Sequence, residues 1–283
     1  MNRRKVFQKD WLSILQIPPE EIPQVLILRS TQNLKNEYDI HRRYFTDILE
    51  IGLKHPLLEN AFIGSLEGLP IGYASVNAGP HAADIVRIFG SLGTQMVLLT
   101  GPCCALNDHL KPFDWFVATQ AYRHEKVAQN NQAPSRIVEA SFQGIEVSAF
   151  QRIKNTFVHW GRTCSTFNAL RDYKVFHQDC LGLGCWVIDR VTAFVFTAAE
   201  SFGMYRAALL VVADISELPE KAKICAPDKH GQETCREQLI RETVIKIVRE
   251  YHRKTKQDKR TDPKVNLVER VLKMEQKPQD KVK

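Results

Sequence analysis

Apolar residues along the chain follow two rhythms, short unbroken runs and longer amphipathic stripes. Gln24–Leu28 (QVLIL) reads as a buried strand after a proline-rich lead. Residues 36–54 carry a partial stripe of Tyr44, Ile48, Ile51 and Leu53, which predicts a helix. Ala61–Leu66 and Leu69–Val76 flank Glu67-Gly68, the pattern of a hairpin. A loop at Asn77–Pro80 leads into a helix from His81 to Gly90, and Gln95–Leu99 (QMVLL) is a second buried strand, which Gly101-Pro102 should end. Asp114–Tyr122 reads as a strand, 124–136 as an exposed polar loop, and Ala149–Trp160 as a helix or a helix running into a strand. After a loop at Gly182–Gly184, Cys185–Ile188 is a short strand. Thr192–Phe202 is a helix with Gly203 as its C-cap. Ala207–Ala213 (AALLVVA) is apolar on both sides, as in the centre of a covered sheet. Gln238–Tyr251 is an amphipathic helix.

Strands and helices alternate, with some hairpins, so the expected fold class is α/β with a central mixed sheet flanked by helices. Beyond Arg253 the chain is highly charged, giving an expected domain over 1–252 and a basic tail over 253–283. Residues 241–283 hold 14 Lys and Arg against 7 Asp and Glu, which is the whole net charge of +7. The remaining body is neutral, so a nucleic-acid-binding face is not expected, although the tail allows weak contact. With 44% apolar and 25% charged residues the composition is that of a globular protein, not a disordered chain or a coiled coil. No apolar run approaches the ~20 residues of a membrane span, and the N-terminus lacks a secretory apolar region, so a cytoplasmic protein is expected.

Seven cysteines cannot all pair internally, and none forms C-x-x-C. Cys225, His230 and Cys235 are too loosely spaced for a metal centre, so neither metal nor cofactor is expected. No GxGxxG follows a strand, and neither GxxxxGK[ST] nor GxSxG occurs. Dinucleotide binding, P-loop chemistry and the serine-hydrolase elbow therefore lack their motifs.

Four stretches, in order, resemble the nucleoside phosphorylase superfamily, which includes purine and uridine phosphorylases and methylthioadenosine-type nucleosidases. Phe62–Ile85 is similar to its hairpin, glycine-rich turn and helix, with Gly79, Pro80, Ala82 and Ala83 in place. Leu92–Leu106 (LGTQMVLLTGPCCAL) resembles its strand and glycine-rich loop, and Asp114–Arg123 the strand that follows. Trp186–Asp214 resembles its substrate-binding strand, helix and acidic strand end. The resemblance spans residues 11–251.

It implies a site that holds a ribose, holds a nucleophile and protonates a departing base. Asp214, at the end of its strand in Ala213-Asp214, matches the acid that assists a purine leaving group. The alternative is that Asp214 caps a following helix. The phosphate ligands are largely replaced. Leu28-Arg29-Ser30-Thr31 stands where phosphorylases have a Gly-Asp turn with a nearby Arg, Leu99 stands for an Arg, and Pro102 for a Thr or Ser. Arg29 is the remaining anion-binding candidate. At the ribose, Val191 replaces the usual Glu in one register, whereas Ile188-Asp189 takes the Met-Glu place in another, with Arg190 as an alternative anion ligand. Phe167 matches the aromatic that stacks on the base, Ser75 a hydroxyl near the ribose, and Gly101 and Cys103 the glycine-rich loop. Phe167 and Cys103 also suit an ordinary packing role. His81 is an additional acid/base candidate.

The implied function is cleavage of the N-glycosidic bond of a nucleoside-like ligand, with the phosphate site largely lost, by a homo-oligomer. The alternatives are an inactive ligand-binding or assembly subunit, and a biosynthetic enzyme that reuses the pocket.

Overall fold

The computed structural model describes residues 10–123, 137–142, 158–166, 173–215 and 235–261. Six helices are described: α1 (10–15), α2 (Leu34–Arg42), α3 (Gly79–Leu92), α4 (Tyr173–Gly182), α5 (Thr192–Ser201) and α6 (Cys235–Thr261). The strands are β1 (Val25–Ser30), β2 (Thr46–Leu49), β3 (Ala61–Leu66), β4 (Leu69–Val76), β5 (Met96–Ala105), β6 (Trp115–Arg123), β7 (Ile137–Glu139), β8 (Val158–Ser165), β9 (Cys185–Asp189) and β10 (Tyr205–Ile215).

All ten strands join one mixed sheet, ordered β10-β6-β8-β9-β5-β1-β4-β3-β2, with β7 on β6. Because β10 also pairs with β5, the run from β5 through β9, β8 and β6 to β10 closes on itself. The other strands extend from this ring as an open wing. Helices α3 and α5 pack on one face, where Val97, Leu99, Ala208 and Leu210 meet Ile85, Phe89, Val195 and Phe196. Helices α2 and α6 cover the other, where Ile27, Leu98 and Leu209 meet Tyr38, Ile240 and Val244. Both faces of β10 are therefore covered, which is why its middle, Ala207–Val212, is apolar without a break.

The mixed α/β class expected from the sequence is the one observed. The hairpin turns at Glu67 and Gly68, both with positive φ, as a two-residue turn requires. Gly203 leaves α5 with φ +65°. Three expectations change. The stripe over 36–54 is not one helix: α2 ends at Arg42 and β2 pairs with β3 instead. Local periodicity cannot reveal a partner strand that arrives later in the chain. The strand over Gln95–Leu99 does not stop at Gly101-Pro102 but runs to Ala105 as β5. Its pairing with β1 ends at Thr100 and that with β9 begins at Cys104, so Pro102 lies in a gap on that side of the strand, while β10 runs opposite it on the other. Residues 158–160 are strand, in β8, in agreement with the reading of a helix running into a strand; 149–157 and the polar loop at 124–136 lie outside the described residues. Helix α6 continues past residue 253 to Thr261.

Candidate active site

The gap on β5 is a fork. Below it, β1 runs parallel to β5 on one side; above it, antiparallel β9 takes the same side. On the other side β10 follows β5 throughout, with a register shift between Val212 and Asp214. Open α/β sheets bind ligands where neighbouring strands diverge in this way. The ends of β1 and β9 and the segment Gly101–Cys103 thus meet at one place. Gly101 is required there, since a Cβ would fall 2.6 Å from Ser30 Cβ. The first turns of α3 and α5 also touch: a Cβ on Gly79 would lie 2.2 Å from the Phe194 ring.

The fork brings several of the expected residues together, but not on one face. Arg29 is in register with Ser75 on β4 and Thr100 on β5. All three continue the row of Ile27, Tyr73 and Leu98 that faces α2 and α6. Cys103 belongs to the opposite cluster, and Gly101 shares its parity along β5. Cys103 is buried, and Ile188, opposite Cys104, is half-buried. Arg190 is half-buried just beyond β9. His81 is tied to the Leu57 carbonyl through Nε2 at 2.8 Å. The backbone of Asp214 sits opposite Cys104, directly after the register shift. Irregularities of this kind re-aim a strand beside active sites. Phe167 and the loop holding Cys225 and His230 lie outside the described residues. No group of three or more metal-ligating side chains occurs among the described residues.

Asp189 is fully engaged inside the fold. One carboxylate oxygen accepts from Ser165 Oγ at 2.5 Å and from Thr163 Oγ1 at 3.4 Å. The other accepts from the Val191 and Thr192 N–H groups at 3.1 and 2.7 Å and from Thr192 Oγ1 at 2.5 Å. Ser165 Oγ also accepts from Ala193 N, so the pair closes the start of α5. Burial raises the Asp189 pKa, opposed by the hydrogen bonds from Ser165, Thr192 and Val191. The arrangement makes Asp189 a holder of α5 rather than a ligand for a ribose diol. Hydrogen bonds to a buried carboxylate contribute roughly 1.5–3 kcal/mol each, though not additively. Asp189→Ala should therefore cost about 2–4 kcal/mol of stability, read from urea midpoints. A loss near zero would mean that the α5 terminus is held by other groups.

Arg29 is equally engaged. Its Nε donates to Glu37 Oε2 at 3.3 Å, and Arg241 Nη1 donates to Oε1 and Oε2 of the same carboxylate at 3.3 and 3.1 Å. His41 Nδ1 lies 3.4 Å from Oε2 and 2.9 Å from the Glu37 carbonyl. Tyr73 Oη joins His41 Nδ1 at 3.0 Å and Ser75 Oγ at 2.9 Å. Arg29, Glu37 and Arg241 expose no more than 7% of their side chains. Burial, then the Arg29 charge, lowers the His41 pKa to about 3, so the imidazole is neutral. Burial raises the Tyr73 phenol far above its usual range. Sequence reading singled out neither Glu37 nor His41, although their spacing of four places both on one helix face. Arg241 lies 204 positions from Glu37 and leaves no local signal.

Comparison with known proteins agrees with this architecture. A family model described as the phosphorylase superfamily matches residues 31–245. The chain belongs to that superfamily. Among solved structures it is similar to uridine phosphorylase from Vibrio fischeri ES114, at 17% identity and TM-score 0.62, covering 83% of this chain and 93% of that one. It is also similar to a Helicobacter pylori futalosine hydrolase mutant, at 16% identity and TM-score 0.60, covering 81% and 99%. A mutant of the Helicobacter pylori 5′-methylthioadenosine/S-adenosyl homocysteine nucleosidase, with 5′-methylthioadenosine in its active site, gives 17% identity and TM-score 0.61, covering 82% and 99%. No curated protein matches. The expected superfamily and fold class are thereby confirmed.

Proposed function

We propose that this chain cleaves the N-glycosidic bond of a purine-type nucleoside with water rather than phosphate as the nucleophile. The observation that carries this reading is the state of Arg29. The remaining anion candidate at the end of the first strand is buried and already bonded to an internal carboxylate, Glu37. A phosphate dianion in a cleft needs several donors and positive charge. In the proposed step the water oxygen bonds to C1′ as the C1′–N bond breaks. The water gives up a proton, and the departing base gains one with help from Asp214. The uridine phosphorylase and nucleosidase likenesses support a nucleoside-like ligand.

The test is a nucleoside panel, including inosine, adenosine and 5′-methylthioadenosine, assayed across a phosphate series. Rates independent of phosphate, with a free sugar as product, are expected. Saturable dependence on phosphate, with a sugar 1-phosphate as product, overturns the reading.

One observation favours a second reading, an inactive ligand-binding subunit. The carboxylate expected to hold the ribose, Asp189, has both oxygens bonded within the protein. Nucleoside binding by calorimetry without turnover on any member of the panel would select it.

A further inference from the structure

Glu37 presents one carboxylate to two guanidiniums and an imidazole at the end of β1, in a place that water barely reaches. Two arginines converging on a planar or tetrahedral oxyanion are what an anion site consists of. Here the chain supplies the anion itself. Two neighbouring polar atoms strengthen the comparison. Thr100 Oγ1, in register with Arg29, and His41 Nε2 are both buried with no hydrogen-bond partner among the described residues. Buried hydroxyls and ring nitrogens are normally bonded, so each is a donor or acceptor in reserve.

We propose that Glu37 is a specificity-determining residue. Its carboxylate fills an oxyanion site formed by Arg29 and Arg241, beside the Ser75 and Thr100 hydroxyls, and so keeps inorganic phosphate out of the end of β1. The proposal rests on the hydrolytic reading above and gives its cause. The side chain matters through charge and volume together. Removing the charge leaves the two guanidiniums one negative charge short, a costly state in a buried site. Removing the bulk as well leaves room for a small oxyanion. Arg241 comes from α6, so the site also depends on the docking of that C-terminal helix.

The experiment compares the full-length chain with Glu37→Ala, Glu37→Gln and the double variant Glu37→Ala/Arg241→Met, using inorganic phosphate as the probe and no nucleoside. Equilibrium dialysis with labelled phosphate and thermal unfolding are read on each. The unmodified protein should bind no phosphate at this site. Glu37→Ala should bind one equivalent and gain roughly 5 °C in melting temperature at about a hundredfold excess over its dissociation constant. Glu37→Gln, which keeps the bulk, and the double variant, which keeps the space but loses a cation, should show less than half that gain. A merely structural Glu37 predicts equal, small phosphate effects in all four proteins, and that result overturns the proposal. So does a Glu37→Ala protein that stays unfolded at every phosphate concentration, or a double variant stabilised as much as the single one. Because no turnover is measured, failure here leaves the hydrolytic reading standing. Phosphate-dependent turnover by the unmodified protein would sink that reading whatever Glu37→Ala binds.

Discussion

Replacing Asp214 by Asn is expected to lower turnover by about 10²–10⁴-fold, or roughly 3–5 kcal/mol of barrier, while leaving the urea midpoint close to that of the unmodified chain. The substitution keeps size and shape and removes the transferable proton. Its position supports the expectation. β10 is held between β5 and β6, and its pairing with β6 reaches Val211. Two residues later the register with β5 shifts, and Asp214 stands opposite Cys104, just above the fork. This position belongs to one of the most securely paired strands of the ring, and its backbone follows directly on the break in regular pairing. A helix-capping role predicts the reverse pattern, a loss of about 1 kcal/mol in stability with turnover unchanged. Both quantities measured on one variant separate the two, and unchanged turnover on a confirmed substrate removes Asp214 from the chemistry.

Much of the architecture was legible in local pattern because local physics decides it. Strands β1, β5, β6, β9 and β10 are apolar runs bounded by turn residues, and α3 and α5 carry broad apolar faces. Where the sequence misled, long-range pairing had overruled local periodicity. Ile48 lies in β2, which β3 recruits as an edge strand, and Pro102 is tolerated inside β5 because the partner on one side changes there. The site was read less completely for the same reason. Arg29, Ser75 and Asp189 were each singled out, but a one-dimensional reading cannot tell a side chain free for ligand from one bonded inside. Asp189 is occupied by Ser165, 24 residues earlier, and Arg29 by Glu37, which Arg241 approaches from α6. None of these partners stands in a motif. The pairing of β8 with β9 sets Ser165 opposite Asp189, and the neighbouring strands β1, β4 and β5 under α2 and α6 gather the Arg29, Glu37 and Arg241 cluster.

That cluster also makes stability depend steeply on acidity. His41 is wholly buried against Tyr73, with ring centroids 4.4 Å apart, and the groups facing it are Glu37, Tyr73, Arg29 and Arg241. Its pKa is about 3 in the folded chain, against about 6.5 in an unfolded one. Between those values the unfolded chain binds a proton that the folded chain refuses. The contribution is therefore fully present above pH ~6.5 and is lost as pH falls toward the folded value, at about 1.4 kcal/mol per pH unit. Over the window this reaches several kcal/mol, a large part of the ~5–15 kcal/mol that holds a typical domain together. Asp189, whose pKa is raised, acts oppositely: its charge costs stability as pH rises through its folded value, which partly masks the His41 slope at the acid end. Urea midpoints at a series of pH values should therefore fall from pH 6.5 to 4. His41→Asn, which removes the titrating ring, should flatten that slope by close to one proton. An unchanged slope in the variant would assign the acid sensitivity to carboxylates elsewhere. A flattened slope with unchanged nucleoside affinity would place His41 in the support of Glu37 and Tyr73 rather than at the ligand.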